Sequence, residues 1–456
     1  MPAINQENIE NKDSTRNEKT TISVVGCGRI GILHACLLTE AGFRVICVDN
    51  DRALAERVSK GNVPFLKQEV EPILRRGLES GRLKVSCVLE GEAVQSGTIL
   101  VTTPAMAIEK GRVDYSNIEK TLNRLGSRIQ KDTLIIVASV VGVGVTESIL
   151  KEALESASGF KVGVDFYFAY SPVPFPEEQT LKSLANRKRI IAACDKVSLE
   201  RASNVVGAIT KAALVKSLNL KAAEAAVLFE AAHRNVNLAL AHEFALFCEK
   251  TGVDYLTVQS LLSSDINAFF QPTLNSGSGK DALCMLMEDA ENQNVKLKIS
   301  RASLELNKET IKHGVSLVQE ALKSCGKSIR RAKIVILGIS QTKNTADVPK
   351  GLLKDFVEML EKKGAKPSFY DPYLTRKTRN HETAPVEESL TETMEGTDCI
   401  VIFTGHDQFK RLNLRKIKLL AKIPAAIVDL EGILDPAKVE AEGFIYRGLG
   451  RGVWKK

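Results

Sequence analysis

The sequence predicts an α/β protein made of two parallel-sheet units joined by a helical middle. Three observations predict it. Between residues 20 and 170, apolar runs rich in β-branched residues (TISVVG, RVICVD, TILVTTP, DTLIIVAS, KVGVDFYFAY) alternate with segments of helical periodicity, the order that produces parallel βαβ units. Residues 219–252 then read as one long helix through AAEAAVLFEAAHRNVNLALAHEFALFCEK to a stop at Gly252, with more helical pattern to about residue 326. From residue 332 the alternation returns in AKIVILGIS, KPSFYDP, DCIVIFTG and AAIVDLEG. The divisions that follow are a disordered tail (1–19), an N-terminal α/β domain (20–215), a central helical domain (216–326) and a smaller C-terminal α/β domain (327–456). No repeat of 20–50 residues is present, but the two α/β units are candidates for distant structural echoes of each other.

Composition narrows the class. With 44% apolar and 26% charged residues, the chain resembles ordinary globular proteins with sizeable cores. No apolar run approaches the roughly 20 residues that span a bilayer, and the N-terminus lacks the apolar core of a signal peptide; the expectation is a cytoplasmic protein that does not engage a membrane. Residues 1–19 are polar, charged and aperiodic, too poor in apolar surface to repay ordering. The nine cysteines are scattered without a C-x-x-C pair, so reduced, buried thiols are expected rather than a zinc or redox centre, and no metal is expected. The net charge of +8 is spread along the chain, with no basic stripe interleaved with aromatics. That pattern argues against nucleic acid and suits an anionic small molecule.

The strongest motif is VVGCGRIG at 24–31. Gly26, Gly28 and Gly31 satisfy G-x-G-x-x-G directly after a strand, with Arg29 and Ile30 opening the next helix. In that setting the first glycine makes the turn, the second admits a pyrophosphate and the third lets helix and strand pack closely, while the helix N-terminus faces the diphosphate. Asp49 ends the next strand about 20 residues on, where an acid hydrogen-bonds a ribose 2′-hydroxyl and repels a 2′-phosphate. The N-terminal unit therefore reads as a Rossmann-type domain binding NAD. The C-terminal unit has a single glycine in GIS at 338–340; a nucleotide there would be bound differently.

From about residue 20 to the C-terminus the order of motifs resembles the UDP-glucose/GDP-mannose dehydrogenase family, the NAD-dependent nucleotide-sugar 6-dehydrogenases. VVGCGRIG and VDND look like its cofactor signature, GNVPFLKQEVEPIL like its proline-led glutamate-rich helix, and VTTPAMAIEKGRVDYSNIE like its V-x-T-P strand. RNVNLALAHEFALFCEKTGVD is similar to the helix of members acting on UDP-N-acetylhexosamines such as UDP-N-acetylmannosamine, and YDPYL, IVIFTGHDQF and IVDLEGIL look like the C-terminal domain. The resemblance implies a long central helix that forms a homodimer, a C-terminal Rossmann-like domain of UDP-binding type, a UDP-sugar-like substrate and a place in polysaccharide biosynthesis. It also implies oxidation of a sugar C6 alcohol to a carboxylate with two NAD molecules, through a cysteine thiohemiacetal and thioester. That chemistry needs a thiolate, oxyanion donors and a carboxylate to manage water.

Measured against the family pattern, Gly26, Gly28, Gly31, Asp49, Thr103, Ser139 and Glu177 keep the cofactor positions. The chemical positions depart from it. The first glutamate of P-E-F-L-x-E-G falls on Val173, the threonine of S-T-V-P on Val140, and the lysine and asparagine of K-L-x-x-N on Val227 and Ala231. No arginine precedes Gln271–Pro272, and the arginine of D-D-x-R falls on Pro349, with Asp347 keeping one acid. A family member with an altered or reduced activity is expected, or else a non-catalytic NAD- or nucleotide-sugar-binding relative.

Glu177 is a candidate acid or a plain loop residue, and Arg234 with Asn237, three apart on one helix face, are substrate candidates. His233 and His242 read as structural, and His406 in TGHDQF has no role assigned by its sequence. The segment NSGSGKDALCM (275–285) fails as a phosphate loop, because Leu274 stands at the first glycine and Asp281 follows Lys280; the segment before it reads as helical. Matched to the family's Q-P-G-x-G-x-G-G-H-C, its cysteine falls on Lys280 without a gap or on Cys284 with four extra residues. Cys284 is the candidate nucleophile on the second alignment.

Overall fold

The computed structural model describes residues 21–452 apart from 64, 67–68, 108–111, 175–179, 263–270, 275–279, 348–350, 375–386 and 388. It divides into two units, one of residues 1–231 with 281–294 and the other of residues 232–280 with 295–456.

The first unit is built on strands β1 (Thr21–Val25), β2 (Arg44–Val48), β3 (Leu83–Ser86), β4 (Thr98–Val101), β7 (Leu134–Val137), β8 (Tyr167–Tyr170), β9 (Arg189–Ala193) and β10 (Leu214–Ser217). A short antiparallel pair, β5 (Met106–Ala107) and β6 (Val113–Asp114), stands apart from them. The sheet order is β10-β9-β8-β7-β4-β1-β2-β3, parallel except where β9 runs against β8. Strands β4 and β7 are apolar at nearly every position because both faces are covered. Ile99, Val101, Ile135 and Val137 enter one core while Leu100, Leu134 and Ile136 enter the other, the two-residue alternation of a pleated strand. Strand order reverses between β1 and β4, which opens a crevice at their C-terminal ends.

The second unit holds an all-parallel sheet of β11 (Lys333–Leu337), β12 (Lys366–Tyr370), β13 (Cys399–Ile402), β14 (Ala426–Asp429) and β15 (Ile445–Gly448), in the order β12-β11-β13-β14-β15. Its reversal lies between β11 and β13. Ile334, Ile336, Val401 and Val428 pack with Val315, Val318 and Leu322, and the opposite faces of the same strands pack with Phe409 and Ile417.

The long helix is Leu220–Thr251, and Gly252 with φ of 75° ends it where a side chain would be strained. A second long helix, Lys298–Ser324, ends just before Gly326, φ 68°. Residues 271–274, expected to be helical, are irregular, and the next described helix is Lys280–Asn292; Pro272 removes a backbone donor and disfavours helix in the residue before it. Six cysteines are buried; Cys87 and Cys194 are exposed and Cys284 is half-buried. Among the described residues no helix is long and apolar enough to cross a membrane, and no cluster of His, Cys, Asp or Glu could hold a metal.

Candidate functional site

The glycine turn after β1 gives each glycine a separate reason. Gly26 has φ of 106°, and a Cβ there would stand 2.7 Å from Thr102 Oγ1. A Cβ on Gly31 would fall 1.7 Å from Gly26 O, so helix Arg29–Glu40 could not pack against the turn. Gly28 has nothing within 4 Å of its would-be Cβ, leaving open space where a diphosphate approaches. Arg29 and Ile30 form the first helical positions, and the helix has neither a side-chain cap nor an acid in its first turn. Such an N-terminus presents N–H groups and a positive dipole end to an anion.

Asp49 faces the same turn. Its Oδ2 accepts from Cys27 N at 2.6 Å and its Oδ1 from Asp51 N at 2.9 Å. The side chain is half-buried, and each carboxylate oxygen retains a lone pair for a ribose hydroxyl. Across the reversal, Thr102 Oγ1 is 3.0 Å from both Val25 O and Gly26 O, and Ser139 Oγ donates to Thr103 O at 2.5 Å. These groups gather at the C-terminal ends of β1, β2, β4 and β7, where the strand order reverses.

Beyond Ser139, the loop 142–146 is held by four acceptors on neighbouring side chains. Gly142 N donates to Tyr115 OH at 2.9 Å, Val143 N to Asp289 Oδ2 at 2.7 Å, Gly144 N to Glu224 Oε2 at 2.6 Å and Thr146 N to Glu224 Oε1 at 2.7 Å; the Thr146 hydroxyl also donates to Glu224. Burial pushes the Glu224 carboxyl up, against the pull of its Thr146 and Gly144 donors. Glu288, next to Asp289, accepts from Val113 N at 2.7 Å. Sequence reasoning missed Tyr115, Glu224, Glu288 and Asp289. The available signal for Glu224 was a lone acid in the apolar run AAEAAVLF.

Of the positions expected to have lost their chemistry, Val173, Val227 and Ala231 are packed as apolar core and Val140 is half-buried. Val173 is 3% exposed, Val227 1% and Ala231 1%. Cys284 is half-buried on helix Lys280–Asn292, one turn before Glu288. Lys280, the other candidate for the cysteine position, is exposed at the first position of that helix. Glu177, Pro349 and the tail 1–19 lie outside the described residues. Arg234 and Asn237 are both half-buried on the long helix, and the Asn237 amide contacts the His233 ring one turn back at 3.0 Å. His242 is buried and hydrogen-bonded to Asn307, Thr310 and Thr273 O; burial lowers its pKa to about 4, so it is a neutral core histidine.

The second unit repeats the device of the first. Gly338, φ 76°, turns the chain after β11, and its N–H donates to Tyr370 O as Gly26 N does to Val48 O. A Cβ on Gly338 would collide with Thr404 O at 2.2 Å, as one on Gly26 would meet Thr102. Asp371 stands where Asp49 does: its Oδ2 accepts from Ile339 N at 2.8 Å and its Oδ1 from Tyr373 N at 2.9 Å. There the likeness stops, because Asp371 Oδ2 also meets Ser340 N, Ser340 Oγ and His406 Nε2. Oδ2 is crowded with donors and the side chain is fully buried, so the carboxylate is closed to a ribose.

A glycine turn opening on an uncapped helix, with a half-exposed acid beside it, defines a dinucleotide-dependent oxidoreductase fold. Comparison with known proteins agrees. The NAD binding domain profile of the UDP-glucose/GDP-mannose dehydrogenase family matches residues 20–209, its central domain 221–309 and its UDP binding domain 335–436. The UDP-N-acetyl-D-mannosamine dehydrogenase of Pyrococcus horikoshii is 27% identical over 437 residues, covering 94% of this chain and 99% of that protein. The UDP-glucose 6-dehydrogenase of Rickettsia prowazekii is 25% identical over 440 residues, covering 94% and 99%. The solved structure of the UDP-D-ManNAc dehydrogenase from Pyrococcus horikoshii superposes with a TM-score of 0.83 at 26% identity, covering 95% of this chain and all of that one (100%). The chain belongs to the UDP-glucose/GDP-mannose dehydrogenase family, and NAD is its cofactor.

Proposed function

We propose that the protein uses NAD to oxidise the C6 alcohol of a UDP-linked hexose or N-acetylhexosamine, with an activity altered or reduced from the full alcohol-to-carboxylate sequence. One observation carries the cofactor half: the Asp49 carboxylate, anchored on Cys27 N at 2.6 Å, beside the open Gly28. In this reading Gly26, Gly28, Arg29, Ile30, Gly31, Asp49, Thr103, Ser139 and Glu177 hold NAD, and bound NAD accepts a hydride from the substrate carbon. The relatives' names supply the substrate class, since they are UDP-N-acetyl-D-mannosamine and UDP-glucose dehydrogenases. Arg234 and Asn237 are the proposed sugar contacts, with Cys284 and Glu177 the remaining candidates for chemistry.

The alteration rests on Val173, Val227 and Ala231. Thioester formation and hydrolysis need oxyanion donors and a water-managing acid, and removing one such donor typically costs roughly 10²–10³ in rate. Apolar side chains at all three positions favour an oxidation that stops at the aldehyde. The same burial favours a second reading, a non-catalytic NAD- or nucleotide-sugar-binding homologue that regulates or pairs with an active enzyme. Exposed Phe229 and Phe247, 60% and 66% accessible on the long helix, support pairing as a homodimer, since exposed aromatics on an apolar helix favour a partner. A cytoplasmic setting fits the cofactor and the reduced thiols. Mixing the protein with NAD and a panel of UDP-sugars decides between the readings. Formation of NADH supports an enzyme; measurable NAD binding with no NADH across the panel supports the non-catalytic relative.

A further inference from the structure

The loops that follow β11 and β13 flank the crevice at the strand-order reversal of the second unit, the position where open α/β sheets receive ligands. They meet on His406, which is fully buried between the rings of Tyr373 and Phe409. His406 Nδ1 accepts from Asn344 N at 2.8 Å, which fixes the neutral tautomer with the proton on Nε2. That Nε2–H then faces Asp371 Oδ2 at 3.1 Å and Ser340 Oγ at 3.0 Å. Asp371 does not need His406 to join β11 and β12, because Ile339 N, Ser340 N and Ser340 Oγ already donate to the same oxygen. The bond to Asn344 has no such substitute.

Asn344 has φ of 61°, a left-handed conformation that a non-glycine residue holds only with local support. Its side chain clasps the next loop, with Nδ2 donating to Asp407 Oδ2 at 2.6 Å and Oδ1 accepting from Asp407 N at 3.0 Å. Lys343 and Lys410 both reach Asp407 Oδ1, at 2.9 and 3.1 Å. Two ammonium groups therefore gather on one carboxylate at the mouth of the crevice, and such cations suit a diphosphate.

We propose that His406 is a positioning residue for the nucleotide half of the substrate: by accepting the Asn344 N–H it fixes the loop 341–347 and its Lys343 for a uridine diphosphate. The proposal rests on the nucleotide-sugar reading above. It also accounts for the occupied Asp371, since this crest reads its ligand through the loops that the carboxylate pins rather than through a ribose held by the acid itself.

Two amide variants separate the halves of the imidazole. His406→Asn keeps an acceptor at the Nδ1 position and loses the donor to Asp371; His406→Gln keeps a donor at the Nε2 position and loses the acceptor for Asn344. Calorimetric titration of UDP into each full-length protein should show affinity within about threefold of wild type for His406→Asn and a loss of roughly tenfold for His406→Gln. NAD affinity, read in the other unit, should be unchanged in both, and thermal unfolding of the full chain with no early transition reports that the second unit of each variant is folded. Equal losses in the two variants, or no loss in either, would overturn the positioning role while leaving the nucleotide-sugar reading intact. Wild-type protein that binds NAD but not UDP would sink that reading, and this proposal with it.

Discussion

The backbone N–H of Cys27 donates to Asp49 Oδ2 at 2.6 Å. One carboxylate thus shapes the glycine turn and keeps lone pairs that, in the proposed function, meet a ribose. Asp49→Asn keeps an oxygen for Cys27 and removes the charge, so NAD should bind roughly 10-fold to 100-fold more weakly, the range for losing hydrogen bonds to a charged group. Discrimination against NADP should narrow, because no carboxylate repels the 2′-phosphate. Fluorescence titration with both dinucleotides checks it; an unchanged ratio of the two affinities would show that Asp49 does not face the ribose.

Gly28 and Gly31 should fail in different ways. Gly28→Ala adds a Cβ into open space and should leave thermal stability within a degree or two while weakening NAD, because the methyl occupies the diphosphate's approach. Gly31→Ala drives a Cβ to 1.7 Å from Gly26 O and should destabilise the unit itself. Melting temperatures with and without NAD distinguish the two, and equal melting for both variants would contradict this division of labour.

Glu224→Ala strips acceptors from Gly144 N and Thr146 N, both of which bind the buried carboxylate. A cost of about 2–4 kcal/mol is expected for donors left unpaired in the interior. Denaturant unfolding measures it, and a loss under about half a kcal/mol would mean that the loop 142–146 finds other partners.

Glu431 gives the second unit a pH dependence. Burial pushes its carboxyl up to about 7 from the ordinary 4.5, against the hydrogen bond from Thr273, which donates at 2.5 Å. The folded state therefore holds this proton more tightly than the unfolded state between those values. Its stabilising contribution is complete below the unfolded value and is lost as pH rises through about 7. Glu431→Gln should remove that slope, so its stability relative to wild type should improve between about pH 5 and about pH 8. Parallel slopes for the two proteins would contradict the assignment.

Cys284 is half-buried, whereas Cys87 and Cys194 are exposed. Site-resolved mass spectrometry after brief alkylation of the native protein should find the exposed pair labelled irrespective of ligand, and Cys284 labelled and protected by a UDP-sugar if it lies at the substrate. Inert Cys284 would make it a packing residue.

Much of this was readable in the residues. The glycine fingerprint, Asp49 and the central strands were legible because a strand buried on both faces must be a near-continuous apolar run and a pyrophosphate turn tolerates few alternatives to glycine. Strands β3 (LKVS), β9 (RIIAA), β10 (LVKS) and β15 (IYRG) escaped the pattern: three carry charged residues at or near a sheet edge, and RIIAA is too short to separate from helix. The acceptors of the loop 142–146 were invisible for another reason. Tyr115, Glu224 and Asp289 lie 27 to 146 residues from their donors, and a lone acid in an apolar helix does not announce its partner. His406 escaped for the same reason, since its role depends on Asn344, 62 residues away.

The most direct test of an intact cofactor cradle with altered chemistry is the amount of NADH formed per molecule of UDP-N-acetyl-D-mannosamine consumed at excess NAD. The account predicts NAD binding tighter than about millimolar and no more than one NADH per sugar, with an aldehyde as the product. Two NADH per sugar, with a carboxylate product, would contradict it.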